Sequence, residues 1–271
     1  MFRKKTKENR RLRVAAAGAF VVMVTVNALA NILPINGQTS GEVSDKYANL
    51  FAPAGFTFAI WSVIYLLLAA YTVYQLVGLK GKSQLKPEVL NRVTPHYIAS
   101  SLLNAVWIFA WHYEVIWLSV ILIAGILFTL IRINTILDEN KKYTSRERLL
   151  VRAPFSVYFG WITVATIANV TTWLVSVKWD GWGWNAEQWT VTMLTVGVLI
   201  ALATMYRFRD VLYGLVIIWA YVGILAKHLM DSGWGGDFPM VIGSLVSLLA
   251  ILALYALYLT YTEYDFPKKL V

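Results

Sequence analysis

Residues 160–173 read "GWITVATIANVTTW". The stretch is uncharged and lies in an apolar run long enough for a bilayer, whose hydrocarbon core of about 30 Å requires roughly 20 such residues in a helix. Two tryptophans, an asparagine and four threonines nevertheless interrupt it. Amides and hydroxyls in hydrocarbon need partners. One side of this helix is therefore expected to face a pocket rather than lipid.

Similar apolar runs recur along the whole chain. With 58% hydrophobic and only 14% charged residues and a mean hydropathy of +0.59, the composition lies far from that of soluble domains, about a quarter of whose residues are charged. The chain reads as an all-α polytopic transmembrane protein. Apolar runs punctuated by charge and turn residues place eight spans, near 14–34, 55–78, 93–112, 115–136, 151–177, 189–206, 210–229 and 240–262. "HYEV" (112–115) leaves room only for a tight hairpin between the third and fourth spans.

The net charge of +9 would suit nucleic acid, but its distribution does not. Lys and Arg gather in the N-terminal tail, at 79–92, at 132–152, at 207–209 and in the C-terminal tail, leaving only Lys46, Lys178 and Lys227 for the opposite side. Basic residues near span ends stay cytoplasmic, so both termini are expected there, in a bacterial-type plasma membrane, with the bilayer and not nucleic acid as partner. "ALAN" (28–31) resembles a signal-peptidase site. The long charged head and the span-like apolar length argue that the segment is retained.

Several chemistries are excluded. There is no cysteine, hence no disulfide and no thiolate site. All fifteen carboxylates fall in tails, loops or terminal turns, which speaks against a proton relay or ion pump, where acidic groups stand at mid-membrane. Lys227, near the outer end of its span and with no acidic partner in view, reads as a snorkelling lysine. His112 and His228, both near the outer face, are conceivable axial haem ligands, although helix-end histidines are more often interfacial. No catalytic constellation is legible, and no enzymatic activity is expected.

What remains are neutral polar groups and large rings inside the spans. At 100° per residue, Trp161, Ala165, Ala168 and Thr172 fall within about 60° of one another, with Asn169 beside them. Ser100, Asn104, Trp107 and Trp111 share a face of the third span, and Thr57, Trp61, Tyr65, Leu68 and Thr72 form a stripe on the second. The first span adds Asn27 and Asn31. Depth counting brings these four faces together in the outer half of the membrane. "WDGWGWNAEQW" (179–189) reads instead as an interfacial tryptophan belt on an outer loop.

These stretches resemble the TspO/MBR family, the tryptophan-rich sensory proteins related to the mitochondrial translocator protein. "LFAPAGFTFAIWSVIYLLLAAYTVY" (50–74) is similar to the family's second helix, with Pro53, Trp61 and Tyr65 in matching places. "NAVW" (104–107) matches its third-helix Asn-x-x-Trp. "WITVATIAN" (161–169), preceded by "RLLVRAPFSVYFGW", matches its fifth. The resemblance covers 1–177 and implies a TspO-like five-helix core with a central cavity. It also implies a tetrapyrrole such as protoporphyrin, or a haem-like relative, as ligand rather than required cofactor. The lining it implies is Trp61, Tyr65, Asn104, Trp107, Trp161, Ala165 and Asn169.

The chain departs from the pattern at Pro53-Ala54, where the family has a double proline, and at Phe51, where it has tryptophan. Val170 replaces a sterol-associated aromatic. Residues 178–271 add three spans that a minimal member lacks, available for packing on the core, for a homodimer surface or for a partner. The function expected is binding or sensing of a flat hydrophobic ligand. The alternative is a permease or exporter component, for which the sequence offers no inverted repeat or broken helix pair.

Overall fold

A computed structural model of the chain describes residues 2–33, 35–77, 83–140 and 142–265. Every element of regular structure among them is helical. The helices are α1 (Phe2–Ile32), α2 (Ser40–Lys46), α3 (Ile60–Val77), α4 (Pro87–His112), α5 (Ile116–Asp138), α6 (Ser145–Glu147), α7 (Ala153–Ser176), α8 (Ala186–Phe208), α9 (Val211–Leu229) and α10 (Pro239–Asp265). The eight expected spans correspond to the eight long helices, with most ends displaced by a few residues.

Seven of those eight are long and apolar enough to cross a membrane; α4 is the exception among the described residues. Its polar content has a physical reason. Ser100, Ser101, Asn104 and His112 are completely buried, so the polar side of α4 is turned to protein and needs no apolar surface. The helix also starts earlier than the expected 93, with Pro87 in its first turn, where the missing N–H costs nothing, and Glu88 beside it at the positive end of the helix dipole.

Local chemistry sets the other joints. α4 passes into α5 through three residues, with Glu114 in the left-handed region (φ 57°), which makes the expected hairpin. Thr144 and Glu147 form a capping box before five residues of π-helix, Arg148–Arg152, that lead into α7. The Glu147 carboxylate also accepts from Ser83 Oγ (2.6 Å) and from the backbone N–H groups of Gln84 and Leu85 (3.1 Å each). It thereby pins the 83–85 loop to the entry of α7. Asn185 with Gln188 caps α8 in the same way, and Asp210 caps α9, the helix it was expected to start.

The chain forms two compact units, Met1–Val43 with Ala59–Ile162, and Ser44–Phe58 with Thr163–Val271. This division by compactness falls inside α7 and is a different quantity from the 1–177 and 178–271 division drawn from resemblance.

In the first unit α4 packs against α1 and α5, and α1 also meets α3. Its interior is aromatic as well as aliphatic. Tyr71, Tyr97 and Phe155 meet edge to face at centroid separations of 4.7–5.7 Å, and Met23, Ile64, Leu68, Ile123 and Ile126 of the same unit are fully buried. Such ring pairs add roughly 0.5–1.5 kcal/mol beyond burial.

In the second unit α8, α9 and α10 pack on one another. Tyr221 on α9 reaches across to donate to the Leu194 carbonyl of α8 at 2.7 Å. Gly197 makes that possible, because a Cβ there would stand 2.4 Å from the Tyr221 hydroxyl. Tyr213 likewise donates to Thr163 Oγ1 on α7 at 3.1 Å.

Candidate functional site

Trp61, in the first turn of α3, is the hub of a ring cluster in the first unit. It stacks on Tyr65 one turn along (5.5 Å between centroids, 17° between planes). It touches Trp107 of α4 at 6.4 Å, and Tyr158 and Trp161 of α7 at 6.1 and 6.0 Å. Trp107 in turn stacks on Trp111 at 5.6 Å. Three helices therefore supply the rings, and their sequence spacing explains it: 61 with 65, 107 with 111 and 158 with 161 are neighbours on a helical surface.

Four of the seven residues expected to line the site, Trp61, Tyr65, Trp107 and Trp161, thus meet directly. The separations are those of rings in contact. A planar guest sandwiched between two rings needs them about 7 Å apart, twice the ordinary carbon contact distance. These rings leave no such gap between them, so a guest sandwiched among them requires a ring to move. Trp61 is half-buried, whereas Trp107 and Trp161 are buried.

Asn104, the fifth, is completely buried just beneath, and its amide is committed to neighbouring helices. Its Oδ1 accepts from Asn27 Nδ2 of α1 at 2.7 Å, and its Nδ2 donates to the Tyr158 hydroxyl at 3.0 Å. Asn27 also donates to the Met23 carbonyl, and Asn31 to the Asn27 carbonyl, both at 2.9 Å. By contrast, the Tyr65 hydroxyl is buried with no hydrogen-bond partner. Ala165 and Asn169 lie one and two turns beyond Trp161 in the part of α7 that belongs to the second unit; Ala165 is half-buried and Asn169 buried.

Tyr158 was missed by the sequence reading. It is fully buried, touches Trp61 and holds Asn104. Its position three residues before Trp161, on the same face of one helix, was the available signal.

His112, His228 and Lys227 serve loops. His112 Nε2 and Ser40 Oγ are 2.9 Å apart, its Nδ1 lies 3.3 Å from the Ile35 carbonyl, and its own carbonyl accepts from Asn36 and Gln38. His228 Nε2 donates to the Leu50 carbonyl at 2.9 Å. Lys227 is not the unpartnered lysine expected: its ammonium pairs with Asp45 at 2.6 Å, a residue too distant in sequence for span reading to connect. No group of three or more His, Cys, Asp or Glu able to hold a metal ion occurs among the described residues. The tryptophans of 179–189 form a second ring cluster, in which Trp189 meets Trp179, Trp182 and Trp184 at 4.9–5.9 Å.

A family model described as TSPO-like protein matches residues 13–259. The chain belongs to this TSPO-like family. The match extends beyond the 1–177 covered by the motifs and takes in α8, α9 and most of α10. With seven span-length apolar helices, this TSPO-like chain is a multi-pass integral membrane protein. No curated protein and no solved structure matches it.

Proposed function

We propose that this TSPO-like protein binds, as a sensor or receptor and without transforming it, a flat hydrophobic ligand of the tetrapyrrole class at the Trp61 cluster. The observation that carries the reading is Trp61 itself, half-buried and in contact with four rings from three helices. Sites for apolar small molecules are walled by aromatic side chains with few polar anchors, and this one has few. The ligand arrives from lipid or from the outer face, displaces the Trp61 ring and stacks on Trp107 and Trp161. The Tyr65 hydroxyl, without a partner at rest, supplies a hydrogen bond to its edge. Ala165 gives clearance and Asn169 a second polar contact. Asn104 acts from behind, holding Tyr158 in place rather than meeting the ligand.

The test is titration of the purified protein in detergent with protoporphyrin IX, followed by tryptophan quenching. Trp161→Ala and Ala165→Phe are each expected to weaken binding at least tenfold, and Tyr65→Phe about threefold. Unchanged affinity in the first two variants removes the site. Flux of the same porphyrin into proteoliposomes separates binding from transport, since a receptor binds without moving its ligand.

A further inference from the structure

Three residues at one end of the first unit keep polar atoms buried without a hydrogen-bond partner among the described residues. They are Arg13 with its Nε, Tyr71 with its hydroxyl and Gln75 with both atoms of its amide. Tyr71 and Gln75 lie four apart on α3, on one face, and both are buried. Arg13 stands on α1 one turn inside the first apolar span, Asn9–Ile32, and Gln75 two residues before the end of α3. The two helices pack together there: Arg13 Nη1 donates to the Gln75 carbonyl at 3.2 Å. The same guanidinium acts electrostatically on the hydroxyls of Tyr71 and Tyr74.

A contact between membrane helices does not require such groups. Leucine would fill the place of Gln75 without a stranded donor and acceptor, and buried polar atoms are as a rule paired. Among the described residues no carboxylate bonds to Arg13. Glu147, whose charge also reaches Tyr74, has its carboxylate taken by Ser83, Thr144 and the N–H groups of Gln84 and Leu85. Guanidinium, phenol and amide N–H together offer donors to an anionic oxygen group, and Arg is suited to phosphate. Gln75 Oε1 adds an acceptor for a hydroxyl, so a phosphate ester that also carries a hydroxyl matches the whole set. The surroundings favour a lipid over a soluble ester. Val14 beside Arg13, and Val73, Leu76 and Val77 around Gln75, are exposed apolar side chains at the ends of their spans. Residues 1–12 add six Lys or Arg against one Glu. Basic segments next to a span attract anionic lipid, and basic sites between membrane helices take its headgroups.

We propose that Arg13, Gln75 and Tyr71 form a site for an anionic phospholipid with a hydroxylated headgroup, taken from the leaflet on the side of the basic tail. The phosphate draws the Arg13 guanidinium off the Gln75 carbonyl and accepts from Tyr71, a headgroup hydroxyl meets the Gln75 amide, and the acyl chains cover Val14 and Val73. The site is separate from the ring cluster: Tyr71 follows Trp61 by ten residues, about 15 Å along α3.

The purified full chain in detergent is titrated with short-chain phosphatidylglycerol, and bound lipid is counted by native mass spectrometry. Phosphatidylglycerol is expected to bind one per chain, and phosphatidylcholine of the same chain length at least tenfold more weakly. Arg13→Gln and Gln75→Leu should each weaken phosphatidylglycerol at least fivefold. Gln75→Leu should leave the lipid-free thermal midpoint no lower than that of the natural chain, since it removes two unpaired atoms. If Gln75→Leu does not fold, Arg13→Gln, at a half-buried position, decides alone. Arg10→Gln with Arg11→Gln is expected to weaken binding less than twofold. The site is overturned by equal phosphatidylglycerol affinity in the natural chain and Arg13→Gln, or by no binding at all. It is overturned equally if the Arg10 and Arg11 pair costs as much as Arg13, which makes the attraction diffuse. Glycerol phosphate competing as tightly as the lipid binds would overturn the lipid in favour of a soluble ester.

Discussion

At the scale of single residues, some polar groups of the first unit hold helices together, and others, the Tyr65 hydroxyl among them, are buried without a hydrogen-bond partner. Asn104 belongs to the first kind. It joins α1 to α7 through Asn27 and Tyr158, and its removal takes one bond from the Asn27 amide and one from the Tyr158 hydroxyl, both buried. Leaving a buried donor or acceptor unpaired costs about 1–3 kcal/mol, although hydrogen bonds between membrane helices average nearer 0.6 kcal/mol. Asn104→Leu is therefore expected to lower stability by roughly 1–3 kcal/mol in thermal unfolding in detergent. Asn31→Leu, which removes only a local bond from an exposed side chain, should change it by less than about 0.5 kcal/mol. Equal effects would show that the Asn104 network contributes nothing of its own. Tyr65 belongs to the second kind, and its hydroxyl lies on a residue of the Trp61 ring cluster.

At the scale of elements, close approach is bought by glycine. Gly197 on α8 receives the Tyr221 hydroxyl of α9, and Gly223 on α9 receives Thr57. Gly197→Ala should raise intrinsic helix propensity yet destabilise the protein by about 1–3 kcal/mol, because the Tyr221 oxygen must leave its place on the Leu194 carbonyl. Adding Tyr221→Phe removes the colliding atom, so the double variant should recover part of the loss. Additive losses in that cycle, measured by denaturation in detergent, would show that the two positions do not meet. On α9 the same device is flanked by polar contacts that fix its register, from Trp219 Nε1 to the Thr57 carbonyl and from His228 Nε2 to the Leu50 carbonyl.

At the scale of the whole molecule, we infer the topology from the charge asymmetry of the sequence. Both termini on the cytoplasmic side predicts that cysteines placed singly at Asn9 and Ser145 react with an impermeant maleimide only in inverted vesicles, and one at Trp184 only in intact cells. The cysteine-free chain makes the assay clean. Labelling of Asn9→Cys and Trp184→Cys from the same side would refute the orientation. Membership of the class and the places of the helices were legible because they are local demands. A bilayer asks each span for its own length of apolar residues, and a helix satisfies its own backbone. The motif residues on α3, α4 and α7 were legible for a similar reason, since helical periodicity puts rings of each helix on one side. Partnership was not legible. Asn27 meets Asn104 across 77 residues and Lys227 meets Asp45 across 182, and no local rule of spacing joins them. The sequence by itself determined a multi-span helical membrane protein with rings gathered on particular faces. Only the tertiary structure decided that Trp61 touches its neighbours instead of leaving a gap, that Asn104 faces other helices, and that α9 takes hold of the segment before α3, because each depends on side chains brought together by packing.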